Sequence, residues 1–260
     1  MIASAGASAE RAPARVLLPT GIRACLFDLD GVLTDTASVH AEAWKEVFDA
    51  FLRAHALRTH EPFAPFERRD YELFVDGRQR LDGVRAFLAA RGIELPEGSP
   101  DDPPEADTVA GLGNRKNGLV LSLLRRRGVR PFPDAVRFLC AVRDAGLRSA
   151  VVSASANCRE VLEAAGIADL FDARVDGLVA EREQLRGKPA PDTFLAAARL
   201  LRAAPRDAAV FEDALAGVSA GRAGAFGLVV GVDRSGQEEA LRAHGADVVV
   251  RDLGELIGSP

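Results

Sequence analysis

Two aspartates stand one residue apart, directly after a short apolar run and directly before Gly31. An apolar run bounded by Asp-Gly predicts a buried strand that ends in a turn. Residues i and i+2 of an extended chain point to the same side, so Asp28 and Asp30 leave this strand together. Two neighbouring carboxylates repel each other unless a cation or a proton lies with them. The pair therefore indicates a metal site, or a nucleophile beside an acid/base, although Asp-Gly alone also fits an ordinary turn.

Three further groups of polar residues could take part in the same chemistry. Ser153 ends a second apolar run, Glu212 and Asp213 end a third, and Lys188 lies in a proline-stiffened loop. Only three of the 33 basic residues are lysines, which marks Lys188 as a candidate for a compact point charge. Taken singly, Ser153 and the acids also fit helix caps, and Lys188 also fits a solvated loop residue.

The elements that must position these groups follow from the region after residue 128, where strand and helix patterns alternate. Ser235 and Glu238 add the pattern of a capping box for one further helix. The alternation predicts an α/β fold with a parallel, doubly wound sheet, in which ligands bind at the carboxyl ends of the strands. The predicted helices run from Pro133 to Gly146 and over 157–165, 191–204 and 214–224, and the predicted strands are Leu147–Ser153, Ala173–Asp176, Ala208–Asp213, Gly227–Val230 and Asp247–Val250.

Residues 36–127 lack strand patterns and are predicted to form a helical insertion. Apolar residues recur at helical spacing over 36–54 and 115–127, whereas 92–113 is rich in Pro, Gly and Asp and predicts an irregular loop. The resulting division is a disordered tail over 1–20, a catalytic core of 21–35 with 128–260, and an α-helical cap domain over 36–127.

Composition restricts the class of protein. The 260 residues include 48% hydrophobic and 27% charged residues with a net charge of −5, which predicts a globular protein without nucleic-acid or membrane partners. No apolar run approaches the ~18 residues of a membrane span, and residues 1–20 lack the apolar core of a signal peptide. Cys25, Cys140 and Cys158 lack metal-ligand spacing and are predicted to be buried thiols in a reducing cytoplasm. We expect a cytoplasmic monomer.

The run from Asp28 to Asp35 reads Asp-Leu-Asp-Gly-Val-Leu-Thr-Asp and resembles the first motif of the haloacid dehalogenase-like phosphotransferases. The resemblance implies that Asp28 is the nucleophile that becomes phosphorylated and that Asp30 is its general acid/base. An acid at position 30 also argues against the dehalogenase and phosphonatase branches, which lack one there. The remaining three motifs of the family have counterparts in the family's order, at Ser153, Lys188 and Glu212-Asp213.

The same resemblance implies how charge is balanced during phosphoryl transfer. Ser153 would hydrogen-bond a phosphoryl oxygen, and Lys188 would offset the charge that remains. A Mg²⁺ cofactor would bind the side chain of Asp28, the backbone carbonyl of Asp30, and the acids Glu212 and Asp213, directly or through water.

The helical insertion resembles the β-phosphoglucomutase branch of the family. Thr36, His40 and Trp44 stand four residues apart and match its pattern Asp-Thr-Ala-x-x-His-x-x-x-Trp. The resemblance implies that Thr36 and His40 assist catalysis, with His40 coupling cap position to Asp30. This sequence departs from that branch in two places. Its loop over 92–113 is longer, and Gly83 stands where a serine is common. The residues implied to bind substrate, including its distal phosphate, are Trp44, Gly77, Arg80, Lys116, Ser155 and Asn157.

The activity implied is a mutase that interconverts β-D-glucose 1-phosphate and glucose 6-phosphate through an aspartyl-phosphate and glucose 1,6-bisphosphate. A Mg²⁺-dependent sugar-phosphate phosphatase with the same core residues is the alternative. A non-catalytic sugar-phosphate sensor is a third possibility, which the intact acids and Lys188 disfavour.

Overall fold

Eight strands are present in residues 15–258, the part of the chain that the computed structural model describes. They are β1 (Arg15–Val16), β2 (Ala24–Phe27), β3 (Arg148–Val152), β4 (Ala173–Val175), β5 (Ala208–Glu212), β6 (Leu228–Val232), β7 (Val248–Val250) and β8 (Ile257–Gly258). Six of them form one parallel sheet in the order β4-β3-β2-β5-β6-β7, which confirms the predicted fold class. β1 pairs antiparallel with β8, so residues 15 and 16 of the predicted tail are held by the chain's other end. Residues 1–14 of that tail lie outside the described residues.

Ten α-helices connect and cover the strands within residues 15–258. They are α1 (Ala37–Thr59), α2 (Arg68–Asp70), α3 (Arg80–Ala90), α4 (Val109–Arg127), α5 (Pro133–Asp144), α6 (Cys158–Ala165), α7 (Gly177–Arg182), α8 (Asp192–Leu200), α9 (Leu215–Ala223) and α10 (Glu238–Ala243). A π-helical turn, Tyr71–Val75, lies between α2 and α3. Short 3₁₀ turns occur at Ala168–Leu170, Pro205–Asp207 and Leu253–Leu256.

The central strands divide the core into two layers, because successive side chains of a strand point to opposite faces. Cys25 and Phe27 of β2 pack on the face that α5 and α6 cover, whereas Ala24 and Leu26 pack on the face that α8 and α9 cover. Phe211 of β5 continues the first layer by stacking on Phe27, with ring centroids 4.6 Å apart. The apolar run before the two aspartates is therefore a strand buried on both sides, as parallel sheets require.

The segment between β2 and α5 has a hydrophobic core of its own. Trp44, Phe48, Phe66 and Phe87 pack with residues from α1, α3 and α4, and the rings of Phe48 and Phe87 lie 4.3 Å apart. The strands of the described chain all lie outside residues 36–127, as predicted for a helical insertion.

Two connections join this helical segment to the sheet, and they lie side by side. Thr34 and Pro131 form a bridge between them. The Asp35 N–H donates to the Arg130 carbonyl at 3.1 Å, and the Phe132 N–H donates to a carbonyl of the first connection at 2.9 Å. The entry and exit of the segment are thus hydrogen-bonded to each other.

Several helix boundaries differ from the prediction. α1 runs to Thr59, beyond the predicted helical stretch 36–54. α4 begins at Val109 rather than near 115, because the Thr108 hydroxyl caps it by accepting from the Gly111 N–H at 2.9 Å. α8 ends at Leu200 rather than 204. The capping box at Ser235 and Glu238 is wrong: the Asp233 carboxylate instead accepts from the backbone N–H groups of residues 235, 236 and 237, and α10 has no side-chain cap.

The prediction of three buried cysteines is also wrong in one case. Cys25 and Cys158 are buried, but Cys140 is exposed. Cys140 lies on the outward side of α5, whereas its neighbours Leu139 and Ala141 pack inward. Within residues 15–258, no helix has both the length and the apolar character that a membrane crossing requires.

Candidate active site

Three neighbouring strands bring the predicted core residues to one edge of the sheet. Phe27, the last residue of β2, lies opposite Val151 of β3 and Phe211 of β5. The Asp28 N–H then donates to the Phe211 carbonyl at 2.9 Å, which continues the pairing by one residue. The chemically active groups therefore lie side by side where these strands end, at Asp28, Ser153, Glu212 and Asp213.

Three carboxylates at this edge can share one cation. One oxygen from each of Asp28, Glu212 and Asp213 lies within 4.8 Å of the others. Carboxylate oxygens held this closely repel each other without a positive charge, and they are the donors that hard divalent cations prefer. The donor set therefore fits such a cation. The carbonyl of Asp30 as a further ligand stays a prediction.

Lys188 supplies a fixed positive charge among these acids. Its Nζ donates to Asp28 Oδ1 and to Glu212 Oε1, at 2.5 Å each, and to the Val152 carbonyl at 3.2 Å. The Lys188 side chain is 2% exposed. Burial alone lowers the pKa of a lysine, but the charges of Asp28 and Glu212 outweigh it and raise the pKa of Lys188. Lys188 therefore stays protonated, as the prediction of a compact point charge requires.

The pKa values of the three acids in this cluster are all raised above their ordinary values. Burial raises the pKa of Asp28 to about 6 and the pKa of Glu212 to about 7, although Lys188 acts against both shifts. The pKa of Asp213 is raised well above its usual value by burial and by its acidic neighbours. A bound divalent cation would reverse these shifts, since it favours the ionised carboxylates.

Two glycines leave room for these carboxylates. A Cβ at Gly217 would lie 1.7 Å from Glu212 Oε1, and a Cβ at Gly31 would lie 1.9 Å from Asp213 Oδ2. Gly31 also has a φ of +92°, which a residue with a side chain rarely adopts. Both acids thus pack directly against bare backbone.

Asp30 leaves the strand end in the same direction but makes different contacts. The Thr36 hydroxyl donates to Asp30 Oδ1 and also lies 2.8 Å from the hydroxyl of Thr34. Burial raises the pKa of Asp30. Asp30 is therefore a hydrogen-bonded carboxyl group beside Asp28 that is biased towards holding a proton.

Residues of α1 and α4 extend this contact into the helical segment. His40 Nε2 lies 3.6 Å from Asp30 Oδ1, and Lys116 Nζ lies 3.1 Å from His40 Nδ1. Burial and the charge of Lys116 hold the pKa of His40 well below its usual value, so the ring is neutral. When Lys116 is protonated it can only donate, so Nδ1 accepts and Nε2–H faces Asp30. Lys116 Nζ also lies 4.8 Å from the centre of the Trp44 ring.

A cavity of about 480 Å³ lies between the sheet edge and the helical segment. Burial lowers the pKa of Lys116, one of the cations that line it, to about 7. Arg80 Nε is buried and has no hydrogen-bond partner within the described residues. The predicted site residues that line the cavity are Asp28, Asp30, His40, Trp44, Gly77, Arg80, Lys116, Ser155, Asn157 and Asp213. Thr36, Ser153, Lys188 and Glu212 are buried directly behind this lining.

The loop after β3 connects the two sides of the cavity. The Ser153 hydroxyl accepts from the Ser155 N–H at 3.1 Å, and the Ser155 hydroxyl accepts from the Asn157 N–H at 3.1 Å. The Asn157 amide then donates to the Asn117 side chain of α4 at 3.0 Å. Asn117 was not among the predicted site residues.

Sequence reasoning also missed the loop between β6 and α10. Arg234 donates to the carbonyls of Gly31 and Val32 at 3.0 and 3.3 Å, pairs with Asp134 at 2.7 Å, and lies 3.7 Å from the centre of the Phe132 ring. The same loop reaches two other parts of the site: Gln237 donates to the Asp213 carbonyl at 2.9 Å, and Arg68 of α2 donates to the Ser235 carbonyl at 3.2 Å.

Tyr71 and Asp76 are two further cavity residues that the sequence did not single out. Tyr71 begins the π-helical turn and Asp76 follows its last residue, and the Tyr71 phenol lies near the Asp76 carboxylate. Burial raises the pKa of Asp76 to about 7, although the nearby Tyr71 phenol acts against this shift. An Asp-Gly pair after an apolar run, the signal that identified Asp30, occurs again at Asp76-Gly77.

Comparison with known proteins agrees with this arrangement. A family profile described as haloacid dehalogenase-like hydrolase matches residues 22–224. The β-phosphoglucomutase of Mycobacterium tuberculosis is 58% identical to this chain over 248 residues, which cover 94% of this chain and 95% of that protein. The β-phosphoglucomutase of Bacillus subtilis is 33% identical and covers 90% of this chain and 92% of its own length.

A solved structure agrees as well. The crystal structure of β-phosphoglucomutase from Clostridium difficile superposes with a TM-score of 0.71 at 27% identity, covering 90% of this chain and 93% of that one. The profile match runs from before β2 to the end of α9, and so includes every strand end that carries a candidate catalytic residue. On that evidence the chain belongs to the haloacid dehalogenase-like hydrolase family.

Proposed function

We propose that the protein is a Mg²⁺-dependent mutase that interconverts β-D-glucose 1-phosphate and glucose 6-phosphate. The proposal rests on one observation: a single cavity is lined by acidic side chains at the sheet edge and by cationic side chains of the helical segment. Asp28 and Asp213 lie on the sheet side, whereas Arg80 and Lys116 come from the helical segment. A ligand with a phosphate at each end fits such a cavity, and the high identity to mycobacterial β-phosphoglucomutase supports the assignment.

Asp28 is the proposed nucleophile. Its carboxylate oxygen forms a bond to phosphorus while the bond from phosphorus to the sugar oxygen breaks, which leaves an aspartyl-phosphate. The Lys188 ammonium, 2.5 Å from Asp28 Oδ1, offsets the negative charge of the attacking group. Mg²⁺ held by Asp28, Glu212 and Asp213 would neutralise charge on the phosphoryl oxygens. Ser153 is proposed to hydrogen-bond one of those oxygens.

Asp30 is the proposed acid/base. Its proton passes to the sugar oxygen that leaves phosphorus, and it later takes a proton from the second sugar hydroxyl as that oxygen attacks the aspartyl-phosphate. Thr36 and His40 contact Asp30 and are proposed to hold its carboxyl group in place.

Exclusion of water is what distinguishes a mutase from a phosphatase with the same core. We propose that residues 36–127 act as the cap that provides it. The helical segment contacts the core around the cavity through Asn117–Asn157, Arg68–Ser235 and Gln79, whose amide donates to the Leu185 carbonyl at 3.5 Å. A cap held at several points would shield the aspartyl-phosphate from water until a sugar hydroxyl attacks it, and would keep the bisphosphate that then forms in the cavity while it turns round.

The test is a product assay on the purified protein. With β-glucose 1-phosphate, Mg²⁺ and a trace of glucose 1,6-bisphosphate, we expect glucose 6-phosphate to form much faster than inorganic phosphate. Release of inorganic phosphate without glucose 6-phosphate would support the phosphatase instead. Omitting Mg²⁺ and adding a chelator is expected to stop either reaction.

A substitution of Arg234 tests whether the turn after Asp30 needs to be held. We expect Arg234→Met to lower kcat about 10- to 100-fold, because the hydrogen bonds from Arg234 to the Gly31 and Val32 carbonyls fix the turn that positions Asp30, the acid/base. The KM should stay within about twofold, since Arg234 is not expected to contact substrate. Steady-state kinetics of the mutase reaction measure both.

Arg234→Lys and Arg242→Met are the matched variants for this test. Lysine keeps the charge but not the forked donors, so it should restore only part of kcat. Arg242 pairs with Glu238 on the exposed side of α10, and its loss should leave kinetics unchanged. An Arg234→Met enzyme with normal kcat and a raised KM would contradict the positioning role.

A further inference from the structure

The π-helical turn brings two polar side chains of the helical segment together. The Asp76 N–H donates to the Tyr71 carbonyl at 2.9 Å, so residues five apart, rather than four, close this turn. Tyr71 and Asp76 thereby become neighbours, close enough for each side chain to shift the pKa of the other. π-helical turns cost regular hydrogen bonding and are found disproportionately at functional sites.

The pair is held directly over the sheet edge. Gly77, which follows Asp76, has a φ of +69°, and a Cβ on it would lie 2.8 Å from the Cβ of Ala214, the residue after Asp213. Both Tyr71 and Asp76 line the cavity with Asp28 and Asp213. Asp76 therefore faces the phosphoryl-transfer end from the side opposite the sheet.

Among residues 15–258, Asp76 forms no ion pair with a lysine, arginine or histidine. Lys188 is already paired with Asp28 and Glu212, and Lys116 is directed at His40 and Trp44. The Tyr71 phenol and the Gly77 backbone lie near the Asp76 carboxylate, but a carboxylate has about four acceptor positions, so others stay free. A phosphate in contact with it would be repelled, whereas hydroxyl groups can donate to its free positions.

We propose that Asp76 accepts a hydrogen bond from a ring hydroxyl of the bound hexose phosphate, and that Tyr71 orients the carboxylate for it. Asp76 is then a specificity-determining residue for a polyhydroxylated substrate, and Tyr71 a positioning residue. The inference rests on the proposed mutase function, because it requires a sugar ring between the two phosphate positions.

The experiment compares a phosphoryl donor that contains a sugar ring with a phosphoryl donor that contains none. Asp76→Asn, Tyr71→Phe and Glu72→Gln are assayed with β-glucose 1-phosphate and, separately, for hydrolysis of acetyl phosphate. We expect Asp76→Asn to lower kcat/KM for the sugar phosphate about 10- to 100-fold, as loss of a hydrogen bond to a charged group does. Tyr71→Phe should lose about 3- to 10-fold, and mainly in KM, because only orientation of the acceptor is affected. Acetyl phosphate hydrolysis should stay within about twofold of the wild-type rate in both variants, because it involves no sugar hydroxyl.

Glu72→Gln is the matched control. Glu72 lies in the same π-helical turn but pairs with Arg68, away from the cavity lining, so its loss should leave both reactions at the wild-type rate. If Asp76→Asn lowered the rates with β-glucose 1-phosphate and with acetyl phosphate by the same factor, the proposal would be overturned, and Asp76 would belong with the metal-binding acids. Wild-type kinetics in Asp76→Asn would overturn it as well.

Deoxy analogues identify the hydroxyl and separate this inference from the function itself. With monodeoxy glucose 1-phosphates, one position should show no further loss on Asp76→Asn, because the two changes remove the same hydrogen bond. Additive losses at every position would overturn the proposal. If wild-type protein releases inorganic phosphate and forms no glucose 6-phosphate, the mutase function fails, while the ratio of sugar-phosphate to acetyl-phosphate hydrolysis still tests Asp76.

Discussion

Asp28→Asn is expected to lower turnover of β-glucose 1-phosphate by about 10⁴-fold or more, as removal of a nucleophile does in other enzymes with covalent intermediates. An amide nitrogen or oxygen cannot form the acyl phosphate that the proposed mechanism requires. The fold should survive, because asparagine has the same size and Lys188 keeps its bond to Glu212. Steady-state kinetics measure the loss, and mass spectrometry after brief exposure to acetyl phosphate should show one added phosphoryl group on the wild type and none on the variant.

Asp35→Asn is the control for this prediction. Asp35 ends the same motif but is exposed and lies outside the cavity lining, so the variant should turn over at the wild-type rate. Turnover in Asp28→Asn equal to that of the wild type would contradict a catalytic Asp28 and restore the hypothesis of a non-catalytic sugar-phosphate sensor.

Lys188→Met is expected to cost both activity and stability. In a chelator, we expect the free energy of unfolding to fall by about 3–5 kcal/mol, because the variant leaves Asp28 and Glu212 buried together without their cation. Added Mg²⁺ should recover part of this loss, since an ion that binds only the folded carboxylate cluster stabilises the folded state, and does so with the logarithm of its concentration. Turnover should stay low even at saturating Mg²⁺, because the ammonium beside Asp28 is still missing. Denaturant unfolding with and without Mg²⁺ measures the first effect and kinetics the second.

Lys45→Met provides the comparison. Lys45 also pairs with an acid, Asp49, at 2.9 Å, but its side chain is 56% exposed. The Asp49 carboxylate is 11% exposed but also accepts from the Phe66 N–H at 2.8 Å, so loss of Lys45 should cost less than loss of Lys188 and should not respond to Mg²⁺. A Lys188→Met protein as stable as the wild type in chelator would contradict the account of Lys188 as the internal counter-charge.

The sequence was sufficient to identify the catalytic core because the core obeys a local rule. Polar residues directly after buried parallel strands meet at one edge of the sheet, so Asp28, Ser153 and Glu212 could be grouped without knowing the strand order. Lys188 could be added only through its resemblance to a motif of the family, because the rarity of lysine in this chain applies equally to Lys45, which lies outside the site. Their catalytic roles rest on resemblance and remain predictions.

The residues that were missed lie near the site in space, but no local sequence pattern marks them as part of it. Arg234 reaches Gly31 from 203 positions away, because the sheet places the end of β6 near that turn. Tyr71 and Asp76 are joined by a five-residue spacing that neither the helical nor the strand period reveals. The capping box failed because a nearer acceptor, Asp233, accepts from the Ser235 N–H, which the Glu238 side chain was expected to satisfy.

The side-by-side connections at Asp35 and Arg130 bear on how such proteins diversify. Because both ends of the helical segment leave the sheet at one hydrogen-bonded point, the segment can be lengthened, shortened or exchanged as a graft without moving any strand. Natural lineages can therefore acquire new sugar preferences by altering this module while the phosphoryl chemistry beneath it is inherited intact. Chimaeras joined at this point are accordingly the natural units for engineering substrate choice.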